Sequence, residues 1–326
     1  MGLFHCPIGA AYYEDRVCIG CGLCNARTRE EAVDAAKKIR DYLRKHGSLR
    51  QSKYRIRKIA VCGKGGVGKS TIVTLLARTL REYGYNVLVV DTDESNPGLY
   101  RQLGFERQPF SLLSIVSRFT PDENEIEING EWLTRDEIRT EDIPAEFLLG
   151  ENGLRFMMVG KIEDPFQGCA CSMADVMRDF TLKLSLQDRE ILLIDHEAGV
   201  ESFGRGVERG VDTVLTIVEP SFESLALAEK IQYMAEGIGI GRIRVILNKI
   251  PSEQIEKQII ASLRKRKTRY LGAVHVDEVV SIAGFEGKPL GDSRAKTEIE
   301  TITRLMLDEA EMKYARQGGM DIWKPD

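Results

Sequence analysis

Three sets of residues have the types and spacing to do chemistry. The first is Gly63-Lys64-Gly65-Gly66-Val67-Gly68-Lys69-Ser70-Thr71, which has the spacing G-x-x-x-x-G-K-S. Glycines so spaced let successive backbone N–H groups curl round a phosphate, while Lys69 reaches its β and γ oxygens and the Ser70 hydroxyl ligates Mg²⁺. Lys64 adds a second cation, where phosphate binding needs only one. The second set is acidic: Asp91, Asp93 and Asp195 each close an apolar run. The third is made of thiols, and the seven cysteines cluster as Cys6, Cys18, Cys21, Cys24, then Cys62, then Cys169 and Cys171. Such clustering in a reducing compartment points to ligation of a metal or cluster, not to disulfides. Cys169-x-Cys171 can chelate one ion with two thiolates, and a second copy from a symmetric partner would complete four. Cys18-x-x-Cys21-x-x-Cys24 with the remote Cys6-Pro7 supplies a second thiol set. Its four thiolates suit a [4Fe–4S] cluster, or else a structural zinc. Cys62 reads as a small core residue.

The elements that must position these groups follow from periodicity. Lys58-Ile59-Ala60-Val61-Cys62 reads as a buried strand, and the apolar helix opening at Thr71 turns its N-terminus toward the anion. A second strand over 86–93 delivers Asp91 and Asp93 at its carboxyl end, and a third over 191–195 delivers Asp195, placed to hold Mg²⁺ through water. In an open α/β sheet that edge is where ligands bind. His196-Glu197-Ala198-Gly199-Val200-Glu201 would form the switch that senses the γ-phosphate, with His196 structural. Further strands are expected over 154–159, 211–218, 244–247 and 270–277. Alternation of strands and helices implies parallel pairing with right-handed crossovers. The expected fold is therefore α/β, a doubly wound, mostly parallel P-loop NTPase domain over 51–326, with a small cysteine/helix module over 1–50.

Within the module, Thr28-Arg29-Glu30-Glu31 is a capping box opening a helix over 29–46, and a basic linker then leads to the first strand. Residues 106–153 break the rhythm as an insertion, with a helix near 112–119 and a hairpin turning at Asn129-Gly130. Ser172 would cap a helix over 173–186, and a terminal helix spans 295–314 without a basic amphipathic tail.

At 326 residues the chain suits one large domain with an appendage. Its formal charge of −4 does not suggest a nucleic-acid or membrane-surface binder. No signal peptide opens it and no apolar run approaches a membrane span, so a cytoplasmic location is expected.

The phosphate loop with its additional Lys64 resembles that of the dimeric ATPases that include the nitrogenase iron protein and the septum-site and plasmid-partition ATPases. A narrower set occurs in order: Met158-Val159-Gly160-Lys161-Ile162, Gly168-Cys169-Ala170-Cys171, Asp195 to Glu201, Gly204-Arg205-Gly206 and Val218-Glu219-Pro220-Ser221. It is similar to the nickel-insertion and maturation ATPases of carbon monoxide dehydrogenase and acetyl-CoA synthase, over roughly 56–316. The resemblance implies Mg²⁺-dependent hydrolysis of ATP to ADP by a homodimer in which Lys64 reaches the partner's nucleotide. It implies that Asp93 orients the attacking water, that Asp91 lies near the Mg²⁺ shell and that Asn248 reads the adenine edge. It also implies Ni²⁺ or Zn²⁺ held between subunits by Cys169 and Cys171, for a nickel/iron–sulfur client enzyme. The amino-terminal cysteine module, whose Cys18-x-x-Cys21-x-x-Cys24 run with Cys6-Pro7 resembles that of bacterial ferredoxins, departs from the usual member. An ATP-gated electron donor or iron–sulfur assembly ATPase of the nitrogenase-reductase kind is the alternative, and a partition or positioning switch a third reading.

Overall fold

The computed structural model describes residues 28, 30–31, 33–35, 37–38, 56–93, 98–115, 130–160, 170–200, 203 and 210–317. Cys6, Cys18, Cys21, Cys24 and Cys169 lie outside them. The chain divides into two compact units, Met1–Arg55 with Glu309–Asp326, and Ile56–Asp308. In the first, the capping box is formed: Glu31 N donates to Thr28 Oγ1 and Thr28 N to Glu31 Oε2, both at 3.2 Å. The described residues from 30 to 38 are helical.

The elements run β1 (Lys58–Gly63), α1 (Lys69–Glu82), β2 (Asn86–Asp91), α2 (Leu99–Leu103), α3 (Glu131–Thr134), β3 (Leu149–Glu151), β4 (Leu154–Met158) and α4 (Ala170–Lys183). They continue as β5 (Glu190–Asp195), β6 (Thr213–Val218), α5 (Phe222–Gly237), β7 (Arg242–Ile250), α6 (Glu253–Lys265), β8 (Tyr270–His275), α7 (Glu278–Glu286) and α8 (Arg294–Gln317). The eight strands form one sheet in the order β3-β4-β2-β5-β1-β6-β7-β8. All neighbours are parallel except β3 on β4. The central strands are apolar on both faces because helices cover both: Ile59, Ala60, Val61 and Cys62 of β1 and Ile191, Leu192, Leu193 and Ile194 of β5 are all buried. Helix α1 buries Ile72, Val73, Leu76 and Leu80 along one face, each leucine or isoleucine worth about 1.5–3 kcal/mol relative to exposure.

The insertion differs from its expected form. Only a 3₁₀ turn, Leu112–Ile115, stands where a helix over 112–119 was expected to begin; 116–129 lie outside the described residues. Gly130 is not in a hairpin turn: at φ −127° it is extended and leads into α3. Trp132 of α3 packs on Phe147 and Phe180, with ring centroids 6.1 and 6.3 Å away. The hairpin lies instead at Asn152-Gly153, both left-handed at φ 56° and 83°, as a two-residue loop joining β3 to β4 requires. Helix α4 starts at Ala170, so Ser172 lies inside its first turn and does not cap it. Among the described residues no helix is long and apolar enough to cross a membrane.

Candidate nucleotide site

β1 runs between β5 and β6, so the loop that leaves it at Gly63 opens in the middle of the sheet's carboxyl edge. Two of the loop's glycines, Gly63 and Gly68, are demanded by their neighbours. Gly63 has φ 153°, and a Cβ there would meet the Ile217 carbonyl oxygen at 2.6 Å. Gly68, left-handed at φ 92°, is the N-cap of α1, and a Cβ on it would collide with the Asn248 amide. Gly65, Gly66 and Val67 lie in the same turn and Thr71 in the first turn of α1, whose N-terminal N–H groups favour an anion.

Lys69 is 7 % exposed, and its Nζ lies 3.5 Å from the Lys64 carbonyl oxygen. Ser70 Oγ donates to Asp195 Oδ2 at 2.6 Å. The register of β2 on β5 sets Asp91 opposite Asp195, and both are buried, 2 % and 1 % exposed. Asp93 follows the end of β2, and its N–H donates to Asp91 Oδ1 at 3.0 Å. Thr92 locks the two strand ends together, donating from N and Oγ1 to the Asp195 carbonyl at 3.0 and 2.9 Å.

Asp195 Oδ1 is a buried acceptor without a hydrogen-bond partner among the described residues. Burial, and then the charge of Asp91, push its carboxyl up to about 7, against the Ser70 hydroxyl and Lys69. A hydroxyl and two carboxylates form a hard oxygen set that fits Mg²⁺. Ser70, Asp195 and Asp91 would hold the ion, which when bound supplies positive charge to the β and γ oxygens. Among the described residues no group of three or more His, Cys, Asp or Glu side chains converges on a metal position.

The switch stretch adjoins the loop. His196 N donates to the Val61 carbonyl at 3.1 Å and Gly199 N to that of Gly63 at 3.2 Å. His196 is buried; burial and the nearby Lys69 hold its imidazole down to about 3, so it is neutral near pH 7.

Three side chains at the neighbouring strand ends complete the surroundings. Lys64 Nζ pairs with Glu219 Oε1 at 3.5 Å, an ion pair whose side chains are 41 % and 23 % exposed. Asn248 is buried, and its Nδ2 donates to the Val67 carbonyl at 2.7 Å. Lys249 Nζ donates to the Gly66 carbonyl. Sequence reasoning missed Glu219 and Lys249. The first lay in a quoted motif without a role, and the second had no signal, since a lysine at a strand end reads as solvated. Of the thiol pair, Cys171 lies in the first turn of α4, and Cys169 lies outside the described residues.

A glycine-rich turn between a buried parallel strand and a helix N-terminus, backed by two buried carboxylates, defines a P-loop nucleotide-binding domain. Residues 58–290 match the CobQ/CobB/MinD/ParA nucleotide binding domain family, and the chain belongs to that family. It is 35 % identical over 258 residues to an ATP-binding protein of Methanocaldococcus jannaschii, covering 76 % of this chain and all of the relative. It is 33 % identical over 234 residues to the carbon monoxide dehydrogenase accessory protein CooC of Rhodospirillum rubrum, covering 71 % and 88 %. The fold is shared with the MinD cell division protein of Aquifex aeolicus, at 19 % identity and TM-score 0.55, covering 82 % and 100 %. It is shared also with the septum site-determining protein MinD of Pyrococcus horikoshii in complex with Mg-ADP, at 17 % identity and TM-score 0.56, covering 76 % and 95 %. The protein is an ATPase of this family.

Proposed function

We propose that the protein is a dimeric, ATP-driven maturation factor that delivers a metal ion, nickel in the first instance, to an enzyme of the carbon monoxide dehydrogenase/acetyl-CoA synthase type. The observation that carries this reading is the 33 % identity to CooC, extending over 88 % of that accessory protein. The site supports the energetic half. A phosphoryl group in transfer spreads charge over its equatorial oxygens, and Lys69, the loop N–H groups and the α1 N-terminus stand ready for that charge before it develops. Asp93, beside the paired carboxylates, would orient the water, and Asn248 would border the nucleotide. Lys64 would leave Glu219 to reach the phosphates bound by a second copy.

The cargo half rests on Cys169 and Cys171. Two copies of the pair give four thiolates, which suit Zn²⁺ tetrahedrally and can flatten round Ni²⁺. Residues 1–50 would be a separate module in which Cys6, Cys18, Cys21 and Cys24 hold a [4Fe–4S] cluster, the donor set being complete for one cube. That ferredoxin-like run favours a second reading, an ATP-gated electron donor, whose mark would be a redox-active cluster shared between the subunits.

The test is metal content of the full chain purified without oxygen, wild type against Cys169→Ala/Cys171→Ala. Half an equivalent of nickel or zinc per chain, lost in the double variant while iron and the visible spectrum persist, is the expected result. Equal nickel and zinc in both proteins would remove the cargo site.

A further inference from the structure

We propose that Lys249 is a positioning residue of the nucleotide site, fixing the phosphate loop in its binding shape from behind. Nothing in this inference depends on the client or the metal; it rests on the loop alone. Along a regular strand consecutive side chains point to opposite faces, so Asn248 and Lys249 should not both reach the same loop. They do so because the end of β7 is irregular: its register against β8 shifts between Leu247 and Ile250. Lys249 is also left-handed, at φ 56°. Such a conformation is disfavoured for a side chain with a Cβ, and irregularities of this kind re-aim side chains next to functional sites.

What they re-aim is two donors onto consecutive carbonyls. Lys249 Nζ takes the Gly66 oxygen and Asn248 Nδ2 the Val67 oxygen, at 2.7 Å. In a planar trans peptide the N–H points opposite to the C=O. Pinning the Val67 oxygen outward therefore turns the Gly68 N–H the other way, and pinning the Gly66 oxygen holds the preceding peptide in its turn. Gly66 and Gly68 are themselves left-handed, at φ 80° and 92°, a flexible pair that gains most from external restraint. The ammonium of Lys249 also leaves positive charge beside a loop that must accept phosphate. A lysine kept in a strained backbone, with its exposed amine spent on a glycine carbonyl, is explained by this task and not by packing.

The experiment measures MgADP affinity by calorimetry, together with the melting temperature without nucleotide, in the full chain and in Lys249→Gly, Lys249→Met and Lys249→Arg. Lys249→Gly relieves the left-handed backbone while deleting the ammonium, so a merely structural lysine predicts equal or higher melting temperature with unchanged affinity. Positioning predicts that Lys249→Gly and Lys249→Met each bind MgADP about tenfold more weakly, or about 1.4 kcal/mol. Their melting temperatures without nucleotide should stay within about 3 °C of wild type, and Lys249→Arg should restore affinity to within about threefold. Wild-type affinity in Lys249→Gly would overturn the proposal, as would weakening in Lys249→Arg equal to that in Lys249→Met.

Discussion

At the scale of single residues, Asp195 is a carboxyl set to exchange a proton for a cation. Unfolded it ionises near 3.8, and folded near 7. Between those values the folded protein keeps a proton that the unfolded chain has lost, so the stability due to Asp195 declines as pH rises from about 4 to 7. His196 acts in the opposite sense. Neutral when folded down to about pH 3, it contributes stability above its ordinary value of 6.5 that is lost as pH falls toward 3. In the proposed site, ligation of Mg²⁺ by the Asp195 carboxylate would release a proton below pH 7. The part of MgADP affinity due to Asp195 should rise about tenfold between pH 6 and 8. Calorimetry of wild type and Asp195→Asn at pH 6, 7 and 8 isolates this part from the titration of the nucleotide itself. Identical slopes in the two proteins would remove Asp195 from the cation site.

At the scale of elements, the amino ends of β1 and β6 are fastened by one carboxylate. Asp212 Oδ2 accepts from Arg57 N at 2.9 Å and Lys58 N at 2.7 Å, and Oδ1 from Thr213 Oγ1 at 2.7 Å. The Lys58 ammonium donates to the Thr181 carbonyl at 2.6 Å, and burial pulls it down to about 8. Asp212→Ala strands the two backbone donors, while the Thr213 hydroxyl can rotate away, and should cost about 2–6 kcal/mol by urea unfolding, at 1–3 kcal/mol per orphaned group. MgADP affinity should change less than twofold, because this end of the strands is opposite the phosphate loop. How much of such detail is legible in sequence depends on the range of the forces. The glycine spacing and the two-face apolar runs of β1, β2 and β5 are local and were readable, and with them the parallel sheet. Asn129-Gly130 and Asn152-Gly153 carry the same turn signal, and only the pairing of β4 with β2 decides between them: Val87 opposite Leu154, Val90 opposite Met157. β3, three residues long, leaves no period to read. Lys249 was invisible because no glycine or asparagine marks its left-handed backbone.

At the scale of the whole molecule, the Lys64–Glu219 pair shows what association has to overcome. A partly exposed ion pair at 3.5 Å is worth about 0–1 kcal/mol, so Glu219 holds Lys64 only lightly, and a second copy's phosphates could take it. In the proposed dimer, Lys64→Ala should leave MgADP binding largely intact and slow ATP hydrolysis by about two orders of magnitude, the loss expected for one preplaced charge. Steady-state phosphate release checks it, and wild-type turnover in the variant would place Lys64 outside the chemistry. The sheet order has a consequence for biosynthesis as well. β1 carries the phosphate loop, yet its two neighbours are β5, which begins at Glu190, and β6, which begins at Thr213. A nascent chain leaving the ribosome therefore carries an apolar strand without a partner on either side until β5 has been translated. Nucleotide capture must therefore follow translation of β5, which brings both the partner strand of β1 and Asp195.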